Sequence, residues 1–476
     1  MSKLLQYNCI TGIFHLERTD ETFQFLQNST GLDIEKVNDF HPEDNYENPQ
    51  IPLPLLRHTY GIEGELEDYS KLQNYLVLTD RKREIAVCVN EKNQIYNLNY
   101  HGIELPIHSR SYAHVVGPIH AGIIEPGHFH FYVTGEMIQM LHIRLGYQKR
   151  NVLNLIKNKK PIEVIPIAES IASDSTISYS TAVSEIYEKA MDLEPEPETK
   201  LFRMVLLELE RLAMHIGDLG AIAGDIGYYP LQGVCATERG VPLGILELLT
   251  GSRFGKACIY PGENRWNLKL NSNDLLEIPK KIHKLKAVID RETKRAMKSS
   301  TVRERLQNCG NISRNQVFRN GFIGMTARCT GVVQDLRLSN PLYNETGMTL
   351  WLEEHKEDLM GDAWARFFLR YIEIMNSIDW ILGITNQIHI PEKKQLKILK
   401  TSEFKPGLYF SSIEGWRGPV LVAFDLKEDG SLIQAYIRDP SVLNWHALEL
   451  AVRGELIGDF PLNNKSFNFS YAGVDL

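Results

Sequence analysis

The chain has 476 residues, 43% of them apolar and 24% charged, with a formal net charge of −8. That is ordinary globular composition with length for two or three domains, and the negative balance argues against a general nucleic-acid surface. No apolar run reaches the roughly 18 residues a bilayer span needs. The opening "MSKLLQYNCITGIFHLERTD" has too short and interrupted an apolar stretch for a signal peptide. A cytoplasmic protein is expected, and docking onto membrane partners stays open.

Residues 1–112 read as a small mixed α/β N-terminal domain. "YLVLTD" and "EIAVCVN" are expected to be adjacent strands with "DRKR" as their turn, and the polar, then proline-rich "HPEDNYENPQIPLPLL" a loop. From about residue 113 strand-like alternation returns. In "GHFHFYV" a period of two puts His128 and His130 on one side and Phe129 and Phe131 on the other, and "IEPG" is a favourable turn. The stretch "HVVGPIHAGIIEPGHFHF" holds His114, His120, His128 and His130 together with Glu125. Their spacings of 6, 8 and 2 match no tight metal motif, because an ion needs a third or fourth ligand aimed inward. Metal binding, hydrogen-bonded structure and proton handling stand as three readings.

From about 147 to 400 helical periods dominate, and "DLEPEPETK" ends one helix and starts the next. In the helix predicted over about Thr199 to Ala223, apolar side chains point in almost every direction, which marks burial. The exceptions, Glu208, Arg211, His215 and Asp218, share one stripe about 80° wide. Charges on such a helix are costly unless paired, so the stripe is either an ion-pair network or a proton-handling face beside a redox centre. A second helix, about Gly361 to Leu382, aligns Arg366, Arg370 and Glu373 on what reads as a solvated or interface face. The last 70 residues are expected to return to strands and turns, with "PVLVAFDLKEDGSLIQAYIRD" a hairpin about "EDG". The six cysteines, at 9, 88, 235, 258, 309 and 329, form no CxxC. Neither a disulfide framework nor a cluster held by a local cysteine motif is expected. Each reads as a small buried apolar residue.

"VGPIHAGIIEPGHFHF…LHIRLGYQKRN" resembles the N-terminal signature of the large subunits of membrane-bound nickel–iron hydrogenases of the formate-hydrogenlyase and energy-converting type. It is similar, less closely, to the 49-kilodalton (D) quinone-site subunit of respiratory complex I. "LLELERLAMHIGDLG", "ATERG" before "LLTGSRF", "GMTARCTGVVQDLR", "MGDAWAR", "SSIEGWRG" and "YIRDPSVLNWHAL" follow in the family's order, so the likeness runs from about residue 113 to 476. It implies an α+β fold: a mainly helical core of the hydrogenase large-subunit or 49-kilodalton type with peripheral antiparallel hairpins over 113–476. The N-terminal domain sits where related hydrogenase subunits fuse a complex I 30-kilodalton-like domain.

The departures bear on function. The family's nickel and iron are held by four cysteine thiolates in two CxxC pairs, soft ligands suited to those metals. The first pair should fall in "AESIASDSTISYS", where this chain has Ala172 and Ser175, with Tyr179 in place of the usual histidine. The second should fall in "NKSFNFSYAGVDL", which has no cysteine and ends at Leu476 without a cleavable extension. No metal is therefore expected on this chain. The histidine that binds the quinone headgroup in the complex I relative corresponds to Ile124. The pattern most resembles cysteine-lacking subunits of the hydrogenase-4 component G type.

The resemblance further implies a redox-complex subunit, peripheral on the cytoplasmic side of the cell membrane. A partner iron–sulfur small subunit, of the kind found in complex I, would present its cluster against the helix containing His215. Antiporter-type membrane-arm subunits would be the other partners, and a quinone or another small molecule the acceptor, in a cavity floored by Ala172, Ser175, Tyr179 and the tail. Glu125, His120 and His215 would take up or relay protons, with Tyr179 a hydrogen-bond donor. Arg211, Lys149 and Arg150 would be the cations near the cluster. The alternatives are a scaffold or regulatory subunit that has lost redox chemistry, and a free-standing soluble metalloenzyme.

Overall fold

The computed structural model describes five strands within residues 1–111, and then residues 112–119, 125–347, 351–387, 389 and 404–476. The five are β1 (Leu4–Asn8), β2 (Ile13–Leu16), β3 (Ile34–Lys36), β4 (Asn74–Asp80) and β5 (Arg83–Val89). β1 pairs with β2, and β3, β4 and β5 form an antiparallel sheet in which Asp80 faces Arg83 across the turn. The expected strand pair is therefore present, and the turn residues between the strands lie outside the described residues. The proline-rich stretch lies outside the described residues.

β6 (Tyr112–Val116), β7 (His128–Thr134) and β8 (Met137–Arg144) form an antiparallel sheet in which His130 faces His142. Burial alternates strictly along β7, with Phe129, Phe131 and Val133 inward and the two histidines on the other face. The inner face packs on Trp445, Phe460, Phe467 and Phe469. This is the alternation that a sheet with one covered face requires.

Helices α1 (Val152–Ile156), α2 (Pro161–Ala168) and α3 (Thr176–Ala190) lead to α4 (Pro197–Asp225). Pro197 opens α4 at its first position, where the missing N–H costs nothing. Around α4 stand α5 (Tyr229–Glu238), α6 (Gly240–Thr250) and α7 (Ser272–Met297). Beyond them come the short helices α8 (Ser300–Leu306), α9 (Arg314–Asn320), α10 (Met325–Arg328), α11 (Pro341–Glu345) and α12 (Leu352–His355). α13 (Ala363–Ile384) begins where Asp362 accepts the amide of Ala365 at 2.7 Å. It runs antiparallel to α4, with Arg370 meeting Asp218 and Ser377 meeting Glu208. The two share the main core.

A hairpin pair, β9 (Ile259–Tyr260) with β10 (Glu263–Asn264), caps α3 and α4. The sheet β11 (Gly407–Glu414), β12 (Pro419–Leu426) and β13 (Leu432–Arg438) packs on α3. The predicted hairpin is there, with Gly430 at φ +74° in its turn.

Two expectations need correcting. The final segment is not all strand and turn, since α14 (Ser441–Ala451) and α15 (Phe460–Phe467) bracket the return to the tail. Nor, of the two readings of the Arg366–Arg370–Glu373 face, does the solvated one hold: all three are buried and paired, and the face is an interface with α4 and the tail. Charges at helical spacing look the same in sequence whether water or a partner helix meets them. Among the described residues, Cys235, Cys258, Cys309 and Cys329 are buried free thiols, and no helix is long and apolar enough to cross a membrane.

Candidate functional site

The loop ahead of α3, the turn before β12 and the C-terminal tail converge on one ion pair. Arg417 grips Asp174 bidentately, Nη1 to Oδ1 at 2.9 Å and Nη2 to Oδ2 at 2.7 Å, the strong geometry for a guanidinium and a carboxylate. Its third donor, Nε, reaches the Asn468 carbonyl at 2.7 Å, and its plane lies 3.9 Å over Trp416. Burial alone would raise the Asp174 carboxyl, but the charge and hydrogen bonds of Arg417 override it and hold it below the ordinary range. Asp174 keeps a third of its side chain accessible, whereas Arg417 is nearly covered.

The residues expected from the sequence to mark the site lie around this pair. Ala172 and Ser175 are buried. Ser175 Oγ accepts the Trp416 indole N–H at 3.1 Å and donates to Asp174. Tyr179 is fully buried and donates its hydroxyl to Asp439 Oδ2 at 2.7 Å. Burial and the Asp439 charge both push that phenol well above its usual range. The tail closes over the same carboxylate: a Cβ at Gly473 would lie 2.5 Å from Asp439 Oδ2, so no side chain fits there. The Gly473 amide donates to Ser470 Oγ at 2.9 Å. Among the described residues, Ala172, Ser175 and Tyr179 are packed among neighbours. A cavity of about 970 Å³ lies elsewhere, lined by residues such as Glu185, Arg203, Tyr343 and Ile413.

Glu125 stands at the accessible edge of this cluster. It feels the backbone of Ala472 and the charges of Asp174, Arg417 and Arg150. Partial burial and then the negative charge of Asp174 raise its carboxyl. Arg150 ties the edge together through the carbonyls of Ser170, Ile171 and Ala472. Lys149 is exposed nearby, and Asp475 accepts the amides of Gly146 and Gln148 at 2.7 and 2.8 Å. His120 lies outside the described residues. His128 and His130 share a hydrogen bond at 3.1 Å. Among the described residues no group of three or more His, Cys, Asp or Glu side chains is placed to hold an ion.

The stripe on α4 belongs to a separate buried lattice. His215 Nε2 meets Glu373 Oε2 at 2.8 Å. Glu373 also receives Arg328 at 2.7 Å and Arg211 at 3.3 Å. Arg211 continues to Glu208, which takes Arg337, Tyr343 and Ser377, and Arg328 continues to Glu414. The ion-pair reading of the stripe therefore holds. Burial lowers His215 despite Glu373, and its Nδ1 has no partner among the described residues. An unpartnered lone pair costs less than an unpartnered N–H, so the ring fits as a neutral imidazole donating from Nε2. The ring meets Trp416 edge-on at 5.8 Å, so one indole touches both the lattice and Ser175. Sequence reasoning missed Asp174, Arg417 and Asp439, although each sits inside a stretch singled out above.

The family described as respiratory-chain NADH dehydrogenase, 49 Kd subunit, matches residues 225–403. The alpha subunit of the membrane-bound hydrogenase of Pyrococcus furiosus is 24% identical over 356 residues, covering 72% of this chain and 82% of its own. The carbon monoxide-induced hydrogenase of Rhodospirillum rubrum is 23% identical over 357 residues, 74% of this chain and 96% of its own. Hydrogenase-4 component G of Escherichia coli is 25% identical over 368 residues, 76% of this chain and 61% of its own. The chain is similar to the 49-kilodalton subunit and to hydrogenase large subunits. A solved structure of the membrane-bound sulfane sulfur reductase, an archaeal respiratory membrane complex, superposes with a TM-score of 0.70 at 21% identity. It covers 78% of this chain and 100% of that one. The resemblance read from the sequence and the fold class that it implied are both borne out.

Proposed function

We propose that this chain is the large subunit of a membrane-associated oxidoreductase complex of the complex I and hydrogenase type. It receives electrons from an iron–sulfur partner subunit and passes them to a quinone or another small acceptor, with proton uptake. The observation that carries this reading is the partly accessible Asp174–Arg417 pair beside Ser175 and Glu125. An acceptor approaching that edge meets a guanidinium already oriented, a carboxyl biased toward holding its proton, and a wall of buried hydroxyls. Negative charge formed there is stabilised by Arg417, and Glu125 supplies or accepts the proton.

The donor set does not fit a nickel–iron centre. Ala172 has no ligand atom, Ser175 Oγ is engaged by Trp416, and the tail "NKSFNFSYAGVDL" holds no cysteine. Attachment to an antiporter-type membrane arm on the cytoplasmic side, and a separate domain over residues 1–112, complete the reading.

The close packing around Tyr179 and the tail favours a second reading, a scaffold subunit without redox chemistry. Purification of the intact complex separates the two. Redox function requires a partner small subunit with four cluster cysteines and a reducible iron–sulfur signal. A partner without them identifies the scaffold.

A further inference from the structure

Among the described residues, several buried carboxylates stand against an arginine: Asp218 on Arg370, Glu188 on Arg203, Glu373 on Arg328. Glu210 differs. It lies on α4 one residue before Arg211, almost wholly inaccessible, and its hydrogen bonds come from the first turn of α3. Oε2 accepts the Ile177 amide at 2.7 Å, and Oε1 accepts the Ser178 amide at 3.3 Å and the Ser178 hydroxyl at 2.7 Å. Arg211 turns away to Glu208, Glu373 and the carbonyls of Glu414 and Gly415. The charged group that acts on Glu210 is another acid, Asp174, itself compensated by Arg417. Burial and Asp174 favour the neutral acid, while the amides at the start of a 15-residue helix favour the anion. The same turn of α3 holds Ser175 and leads to Tyr179.

We infer that Glu210 is the proton-holding carboxyl of this site, taking up a proton when negative charge gathers around Asp174 and Ser175 and releasing it when that charge leaves. The inference rests on the proposed redox reading only for the source of that charge, an electron from the iron–sulfur partner. The proton comes from solvent, and only the carboxyl O–H bond forms or breaks. Burial, the largest influence, pushes the acid up to about 8, so both forms coexist close to neutral pH. Glu210 acts through α3 and is a positioning residue.

The test is an infrared titration of the purified intact complex, following the carbonyl band of protonated carboxyls. The wild type should show a band that disappears with a midpoint of about 8 and is missing in Glu210→Gln. Ser178→Ala removes one donor to the anion and should move the midpoint up by about one pH unit; it keeps the test decisive where the glutamine variant fails to assemble. Reduction with dithionite should also raise the midpoint. A wild-type complex with no such band at about pH 6, or a band unmoved by both variants, overturns the inference. A band that titrates and follows the variants but ignores dithionite supports the proton-holding role and counts against the redox reading.

Discussion

Two charged regions meet at Trp416 and are built on opposite principles. In the lattice between α4 and α13 each named acid meets one or more arginines, and Glu373 is held well below its usual range once Arg328, His215 and Arg211 have overcome its burial. In the cluster at the start of α3, one pair is matched, Asp174 with Arg417, while Glu125 at the edge and Glu210 beneath are among the acids that stand without a dedicated cation. Matched buried charges fix a structure and resist titration, whereas unmatched ones change protonation within reach of neutral pH. The first region is a frame, and the second is where chemistry has room to act.

The largest expected effect comes from breaking the frame. Glu373→Gln leaves Arg328 and Arg211 short of a counter-charge and should cost about 3–5 kcal/mol in denaturant unfolding. A loss below about 1 kcal/mol would show that the lattice is dispensable. The pH dependence sharpens the contrast. Glu373 and Asp174, both depressed, contribute stability that is present above their ordinary values of 4.5 and 3.8 and is lost as the pH falls below them. Glu210, raised, contributes in the opposite sense: its share is full below 4.5 and is lost as the pH rises to about 8. Unfolding of Glu210→Gln against pH should therefore lack the decline between those limits, while its acid limb stays unchanged.

His215→Met tests whether the frame also senses charge. It should weaken the pH dependence of the partner cluster's midpoint potential and cost about 1–3 kcal/mol through the hydrogen bond taken from Glu373. An unchanged slope leaves His215 purely structural. The smallest effect on stability belongs to Glu125→Gln, within about 0.5 kcal/mol, with turnover impaired and the complex assembled. Loss of assembly would make Glu125 a structural carboxylate.

What the sequence carried was local. Pro197 and the surrounding acids marked the start of α4, and the alternation of "HFHFYV" set the histidines and phenylalanines of β7 on opposite faces. The spacing of Glu208, Arg211, His215 and Asp218 announced one stripe on α4. It could not say that Glu373, 158 residues beyond His215, would meet it. For the same reason the spacing on α13 alone leaves a solvated face and an interface undistinguished. The site shows the same limit. Ala172, Ser175 and Tyr179 stand out by their place in a motif, but the residue that organises them, Arg417, pairs with Asp174 across 243 residues. That pairing depends on tertiary geometry, which no spacing encodes. The packing of the tail is hidden as well, because the glycine facing Asp439 carries no signal until the carboxylate stands beside it.

The most direct test of the account is the reoxidation of the dithionite-reduced intact complex by a water-soluble quinone, followed through the iron–sulfur absorbance in the wild type and in Arg417→Lys. Lysine keeps the charge but cannot serve both oxygens of Asp174. The account predicts reoxidation by the wild type and a rate at least about tenfold lower in the variant, the factor that a loss of about 1.4 kcal/mol in transition-state stabilisation gives. Equal rates in the two, or a reduced complex that quinone leaves untouched while other oxidants act on it, would contradict the placement of electron delivery at the Asp174–Arg417 edge.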